Sequence, residues 1–304
     1  MSHRVPLLVI AALALAACSQ RGQPPATAAP APAPTDTTDG PRIVMSDDQV
    51  HLEYRVLGHG EPAVILIHGW CGNADYWHAQ FDALKARYTV VALDLAGHGA
   101  SGANRTDWSM ANYAGDVATV ARQIPNARIV LVGHSMGATV ALAAVARIGP
   151  RVIGVVAVDA LRSVGLPPLS TGEIETRVAP FRSDFVGTTR ALVSDSLFEK
   201  GADQALVQKV AYDMSLRSSA VAVPTLEKLM AFDLATLLPS VRVPVYAINS
   251  DLAPTDAARI RKSLPDFTLD VLPHTGHFLM MEAPDRFNAL LIKDIDALAA
   301  RAPH

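Results

Sequence analysis

Only two cysteines, Cys18 and Cys71, occur in the 304 residues. That is too few for a disulfide framework, and no Cys/His cluster has the spacing of a zinc site. Aromatic residues make up 6% of the chain, which leaves no platform for stacking bases, and a formal net charge of -3 supplies no basic face for phosphates. Nucleic acid is therefore not an expected partner. No apolar run reaches the length of about 20 residues that a membrane-spanning helix needs. What the chain does have is apolar mass. Half of its residues are apolar, enough for a sizeable core in one or two domains.

The N-terminus is the first informative stretch. His3 and Arg4 precede an unbroken apolar run, residues 6–17, that ends in small side chains. This is the charged, apolar and cleavage-zone order of a secretory signal. Leu15-Ala16-Ala17-Cys18 resembles the lipobox of bacterial lipoproteins, which implies cleavage before Cys18 and a diacylglyceryl group on its thiol. Ser19 in place of Asp resembles sorting to the outer membrane of a Gram-negative cell, and implies a cell-envelope protein on the periplasmic face of that membrane. Residues 19–40 are rich in Pro, Ala and Thr and almost free of large apolar side chains, so they cannot bury enough surface to fold. The expected organisation is a signal peptide over 1–17, a lipidated Cys18 with a disordered tether over 18–40, and a folded domain over 41–304. With Cys18 lipidated, Cys71 would have no disulfide partner.

From residue 41 onward short β-branched runs alternate with longer amphipathic segments, the rhythm of an α/β domain. Strands are expected at 49–57, 63–67, 89–93, 129–132, 152–158, 245–248 and 268–272. Most are wholly apolar, as befits strands buried on both faces. Helices are expected at 73–87, 110–123, 136–147, 256–263 and 284–300. The rhythm breaks between about 161 and 238, where only helical patterns occur (188–198, 202–216 and 225–232). Such an insert suits a cap over an active site.

Gly133-His134-Ser135-Met136-Gly137 directly follows an apolar strand and opens a helix. That strand–turn–helix context is what a nucleophile elbow requires, with Ser135 raised above the sheet beside a helix N-terminus. A serine needs a base. His277, in the loop after the last strand, is the candidate, with His274 its near competitor. A third group must orient the imidazole. Asp251, at the end of the 245–248 strand, is the first choice. Asp256 could instead cap the following helix, and Asp159, which also ends a strand, is the alternative acid. Acyl transfer further needs N–H donors for an oxyanion. The backbone amides of Met136 and of Trp70, in the turn His68-Gly69-Trp70-Cys71-Gly72, are placed to serve. His68 reads as a structural hydrogen-bonder. Cys71 reads as packing, close enough to the site to suggest sensitivity to thiol reagents.

His68-Gly69, the run Asp94-Leu95-Ala96-Gly97-His98-Gly99-Ala100-Ser101, the Ser135 elbow, Asp251 and Gly276-His277 together resemble the α/β-hydrolase superfamily in order and spacing. The resemblance spans about residues 50–300. It implies an α/β fold with an eight-stranded, mostly parallel sheet, helices on both faces and a helical cap insertion, and the chain order Ser, Asp, His. It also implies that the Asp94–Ser101 signature, with His98 as a buried polar residue, is structural. The family often has Gly where Asn249 stands. The expected reaction is hydrolysis of a carboxylic ester through an acyl-enzyme on Ser135, with no cofactor and no metal. Ser at the elbow argues against dehalogenase and epoxide hydrolase chemistry, which runs through a carboxylate. Lactonase, C–C bond hydrolase and aminopeptidase activities use the same triad, the last needing acidic groups such as Glu173, Glu175 or Asp184 near the substrate amine. A non-catalytic envelope binding protein is the reading from another class.

Overall fold

The computed structural model describes residues 40–302. The segments 1–17 and 18–40, the lipobox and Cys18 among them, lie outside the described residues apart from Gly40. Eight strands form one sheet: β1 (Arg42–Met45), β2 (His51–Leu57), β3 (Ala63–Ile67), β4 (Thr89–Leu93), β5 (Ile129–His134), β6 (Val152–Val158), β7 (Val245–Ser250) and β8 (Phe267–Leu272). Their spatial order is β1-β2-β4-β3-β5-β6-β7-β8. β2 runs antiparallel to both neighbours, and every pairing from β4 to β8 is parallel. This is the α/β-hydrolase fold.

The parallel strands read as continuous Val/Ile/Leu runs because helices cover both faces. β3, β4 and β5 are buried at every position. Each fully buried aliphatic side chain there contributes about 1.5–3 kcal/mol. α2 (Met110–Arg122) and α3 (Met136–Ile148) pack together on one face, while α1 (His78–Leu84) and the C-terminal α11 (Pro284–Arg301) pack on the other. β1 has no such signature. It is a four-residue edge strand with Ile43 65% exposed, so its apolar residues announce no burial.

Between β6 and β7 the chain inserts five helices: α4 (Thr171–Ser183), α5 (Phe185–Ser196), α6 (Gln204–Ser215), α7 (Ser219–Met230) and α8 (Leu234–Leu237). α4 had no counterpart in the sequence pattern because it buries only Val178 and Phe181 and contains Pro180. Its start is fixed instead by a capping box between Ser170 and Glu173. α9 (Ala257–Arg261) and α10 (Leu279–Glu282) fill the loops around β8.

The Asp94–Ser101 signature is a knot of hydrogen bonds. Asp94 accepts from the Ala74 and Ala100 amides at 2.8 Å each, and its carbonyl accepts from Ser101 Oγ at 2.6 Å. A side chain at Gly99 would collide with the Asp94 carboxylate, its Cβ falling 2.0 Å away.

Candidate active site

The elbow at the end of β5 follows from close packing. A Cβ on Gly133 would lie 2.2 Å from the Gly137 carbonyl oxygen, and one on Gly137 would lie 2.4 Å from that of Ile67. Glycine at both positions lets α3 start immediately against β3. Ser135 is driven to φ 52° and ψ -116°, a conformation that L residues hold only under constraint. Its amide donates to the Val158 carbonyl at 2.9 Å, which pins Ser135 beside the end of β6.

One residue beyond Val158 stands Asp159, itself at φ 46° and 5% exposed. Its Oδ2 accepts from His277 Nδ1 at 2.6 Å. Its Oδ1 accepts from the Ser250 amide at 2.8 Å, Ser250 Oγ at 2.7 Å and Arg162 Nη2 at 2.7 Å. Burial alone would push this carboxyl up, but the hydrogen bonds from His277 and Arg162 outweigh it and hold Asp159 well below the ordinary carboxylate range. It stays ionised.

Asp251, the acid expected from the sequence, is therefore corrected. β7 extends through Ser250, which carries Asp251 out to the exposed rim. There its carboxylate faces the turn at His274 and Thr275, the Thr275 amide lying 3.5 Å away. Hydrogen bonds from that turn lower its pKa. Asp256 caps α9 through the Arg259 amide. His274 is exposed at φ 57°, and among the described residues no hydrogen bond or ring contact joins it to the elbow. Asn249 takes part as a brace: its side chain bonds both the carbonyl and the amide of Ala160, fixing the residue after Asp159.

The His277 loop is held from several sides. Glu282 accepts from the Gly276 and Phe278 amides, and the His277 amide donates to Leu197 in the inserted segment at 2.7 Å. His134 Nε2 donates to the His277 carbonyl at 2.8 Å. Burial pushes the His134 imidazole down to about 3, so it remains neutral. Because Asp159 accepts, Nδ1 of His277 carries the proton and Nε2 presents its lone pair. Arg162, Ser250, Glu282 and His134 had no sequence signal. They are recognised only by what they touch.

On the opposite side of the elbow lies the His68–Gly72 turn. A Cβ on Gly69 would fall 3.3 Å from Ser135 Cβ, so the backbone of this turn runs against Ser135. The Trp70 amide has no backbone acceptor among the described residues, and Met136, first residue of α3, has none within its helix. Both amides are available to an oxyanion. Trp70 is fixed by Nε1 donating to the Ala222 carbonyl at 2.8 Å and by edge contacts with Phe181 and Phe185. His68 is a structural hydrogen-bonder: Nδ1 donates to the Gly69 carbonyl and Nε2 accepts from the Leu95 amide. Burial pushes the Cys71 thiol well above its ordinary value. It is a packed group, 1% exposed, that burial favours in the protonated form.

A cavity of about 440 Å³ opens at Ser135, Met136 and Asp159. Its walls are mostly apolar, among them Leu161, Leu166, Leu229, Met230, Phe232 and Leu234, largely from the inserted segment. The acidic residues considered for an amine site are engaged elsewhere. Glu173 closes the capping box, Glu175 pairs with Arg182, and Asp184 caps α5.

A model of the Alpha/beta hydrolase family matches residues 64–290. Over 89 residues the chain is 40% identical to an uncharacterised protein of Mycobacterium tuberculosis, covering 29% of this chain and only 26% of that protein's length. Over 258 residues it is 29% identical to the dihydrolipoyllysine-residue acetyltransferase component of an acetoin cleaving system from Cupriavidus necator, covering 82% of this chain and 67% of that one. Among solved structures, a thermophilic esterase from Thermogutta terrifontis superposes with a TM-score of 0.75 at 20% identity, covering 85% of this chain and 99% of that one. At that identity the likeness is one of fold.

Proposed function

The chain belongs to the Alpha/beta hydrolase family, and from that premise we propose that it hydrolyses a carboxylic ester through an acyl-enzyme on Ser135. The observation that carries this reading is the 2.6 Å contact between His277 Nδ1 and Asp159 Oδ2, beside an elbow serine that lines an apolar cavity. His277 Nε2 takes the Ser135 proton as Oγ bonds to the ester carbonyl carbon. The carbonyl π pair moves onto oxygen, where the Trp70 and Met136 amides receive it. Asp159 stabilises the imidazolium so formed. Collapse of the intermediate breaks the bond to the alcohol, which leaves with the proton from His277. Water then repeats the sequence in reverse roles, releasing the acid and restoring Ser135. An apolar cavity of about 440 Å³ suits a short to medium aliphatic or aryl group.

We further propose that Cys18 carries a lipid and that residues 18–40 tether the enzyme to the periplasmic face of an outer membrane. The support for this is the sequence of residues 1–40 alone. Among the described residues no helix is long and apolar enough to cross a membrane.

The test is labelling of the purified full chain with a fluorophosphonate probe, peptide mapping of the tag, and turnover of short and long p-nitrophenyl esters. A tag on Ser135 that is lost in Ser135→Ala, together with ester turnover, supports the proposal. A folded protein that takes no tag and turns over no ester refutes it.

A further inference from the structure

Trp70 joins the oxyanion turn to the helices inserted between β6 and β7. Its backbone belongs to the turn that runs against Ser135, but its side chain is buried among the inserted helices, 8% exposed. Nε1 donates to the Ala222 carbonyl of α7 at 2.8 Å. The ring meets Phe181 of α4 edge-on with centroids 5.5 Å apart, and Phe185 of α5 at 6.1 Å. One side chain is thus held by three helices.

Two of those helices also wall the cavity. On α7, Val221, Ala222, Thr225 and Leu229 recur at helical spacing and share one face. Val221 packs at Gly97, and Thr225 Oγ1 lies 2.9 Å from the Tyr113 hydroxyl, so this face is seated on the core. Further along, Leu229 and Met230 line the cavity. Only about 10 Å of helix separates the carbonyl that holds the indole from the cavity wall. On α4, Phe181 packs on the ring and Arg177, one turn earlier, lines the cavity.

The cavity suits the acyl arm of an ester. Ser135 and Met136 line it, whereas His277 is not among the described residues that do. The alcohol oxygen must face His277 to receive its proton. An acyl arm long enough to reach Leu229 and Met230 therefore presses on the same helix that holds Trp70. An oxyanion donor is effective only where it meets the developing charge, and no backbone acceptor fixes the Trp70 amide among the described residues. We propose that the Trp70 indole is a positioning group that ties the oxyanion amide to the cavity wall, so that a cavity-filling acyl arm raises kcat as well as lowering KM. Medium-chain acyl esters are then preferred over acetyl esters in the chemical step itself. This deepens the ester-hydrolysis reading and rests on it.

The test uses the full chain, the 4-nitrophenyl esters of acetate and hexanoate, and 1,1,1-trifluoroheptan-2-one. Ser135 Oγ bonds to the ketone carbon, the carbonyl π pair moves onto oxygen and the serine proton passes to His277. The Ki of this ketone therefore reads the oxyanion site. In the unsubstituted chain, kcat for hexanoate is expected to exceed that for acetate by about tenfold, since uniform binding would place the whole gain in KM. Trp70→Phe keeps a ring against Phe181 and Phe185 but loses the bond to Ala222. It is expected to lower kcat for hexanoate about tenfold with KM within about twofold, and to raise Ki about tenfold. The two kcat values should then lie within about threefold of each other. A Trp70→Phe enzyme with a raised KM but unchanged kcat and Ki has lost only a wall, and overturns the proposal. Unchanged values throughout do the same. Should Trp70→Phe not fold, equal kcat for the two esters in the unsubstituted chain is by itself contradictory. A parent chain that turns over no ester and takes no fluorophosphonate fails the hydrolase reading and this inference with it. Turnover without the Trp70 effects fails this inference alone.

Discussion

Asp159 and His277 lie 118 residues apart in the chain and meet at 2.6 Å. The second oxygen of the same carboxylate is shared between Ser250 and Arg162, so the carboxylate is held on both sides. His277, in turn, is held through its own carbonyl by His134 and through its neighbours' amides by Glu282. An imidazole fixed in one tautomer before substrate arrives has no reorganisation left to make.

Arg162 donates to Asp159 Oδ1 at 2.7 Å, so it helps to fix the carboxylate that meets His277. Arg162→Gln removes that charge-assisted hydrogen bond, and kcat/KM on a p-nitrophenyl ester is expected to fall by about tenfold while the protein stays folded. An unchanged kcat/KM contradicts this role for Arg162.

Gly137 permits the contact between α3 and β3. In Gly137→Ala the new Cβ would sit 2.4 Å from the Ile67 carbonyl oxygen and 2.6 Å from that of His68. Both are backbone atoms, so strand and helix must separate. The expected cost is at least about 3 kcal/mol, read as a lower denaturation midpoint or loss of soluble protein. Unchanged stability would mean that the elbow is looser than its geometry implies.

Asp294 of α11 is 1% exposed, and neither carboxylate oxygen has a hydrogen bond, with Lys293 Nζ 3.6 Å away. Burial raises its pKa to about 7. An acid raised in the folded state binds its proton there while the unfolded chain has already lost it. Stability from this group thus falls as pH rises from about 4 to about 7. Asp294→Asn is expected to stabilise more at pH 8 than at pH 5, by on the order of 2 kcal/mol in urea titrations. Equal effects at the two pH values would show that Asp294 is ionised throughout.

The proposed anchor makes a simple prediction. Expressed in a Gram-negative host with an alkyne-tagged fatty acid, the full chain takes up label and fractionates with membranes, and Cys18→Ala loses both. Label retained in Cys18→Ala, or none in the parent chain, contradicts lipidation at this residue.

Much of the fold was legible because parallel strands buried on both faces leave an unmistakable apolar run, as in Ala63–Ile67 and Thr89–Leu93. β1 was not, since an exposed edge strand buries little, and α4 was not, since it packs through only two side chains. The elbow and the loop that carries the proposed base were legible from glycine-flanked motifs beside strand ends. The acid was ambiguous. Both Asp159 and Asp251 follow apolar strands, and only the extra length of β7 carries one of them outward. Arg162 and Glu282 were hidden, because a lone charged residue in a loop or helix has no pattern until the fold supplies its neighbours.

The assignment of the acid is the point on which the account rests, and one comparison tests it. The second-order rate of Ser135 labelling by a fluorophosphonate, and kcat/KM on a p-nitrophenyl ester, should be measured for Asp159→Asn and Asp251→Asn side by side. Asp159→Asn is expected to lower both by about 10³ to 10⁴ while the protein stays folded. Asp251→Asn, which alters only an exposed turn, is expected to stay within about threefold of the parent enzyme. The reverse order would return the acid to Asp251 and contradict the triad of Ser135, His277 and Asp159.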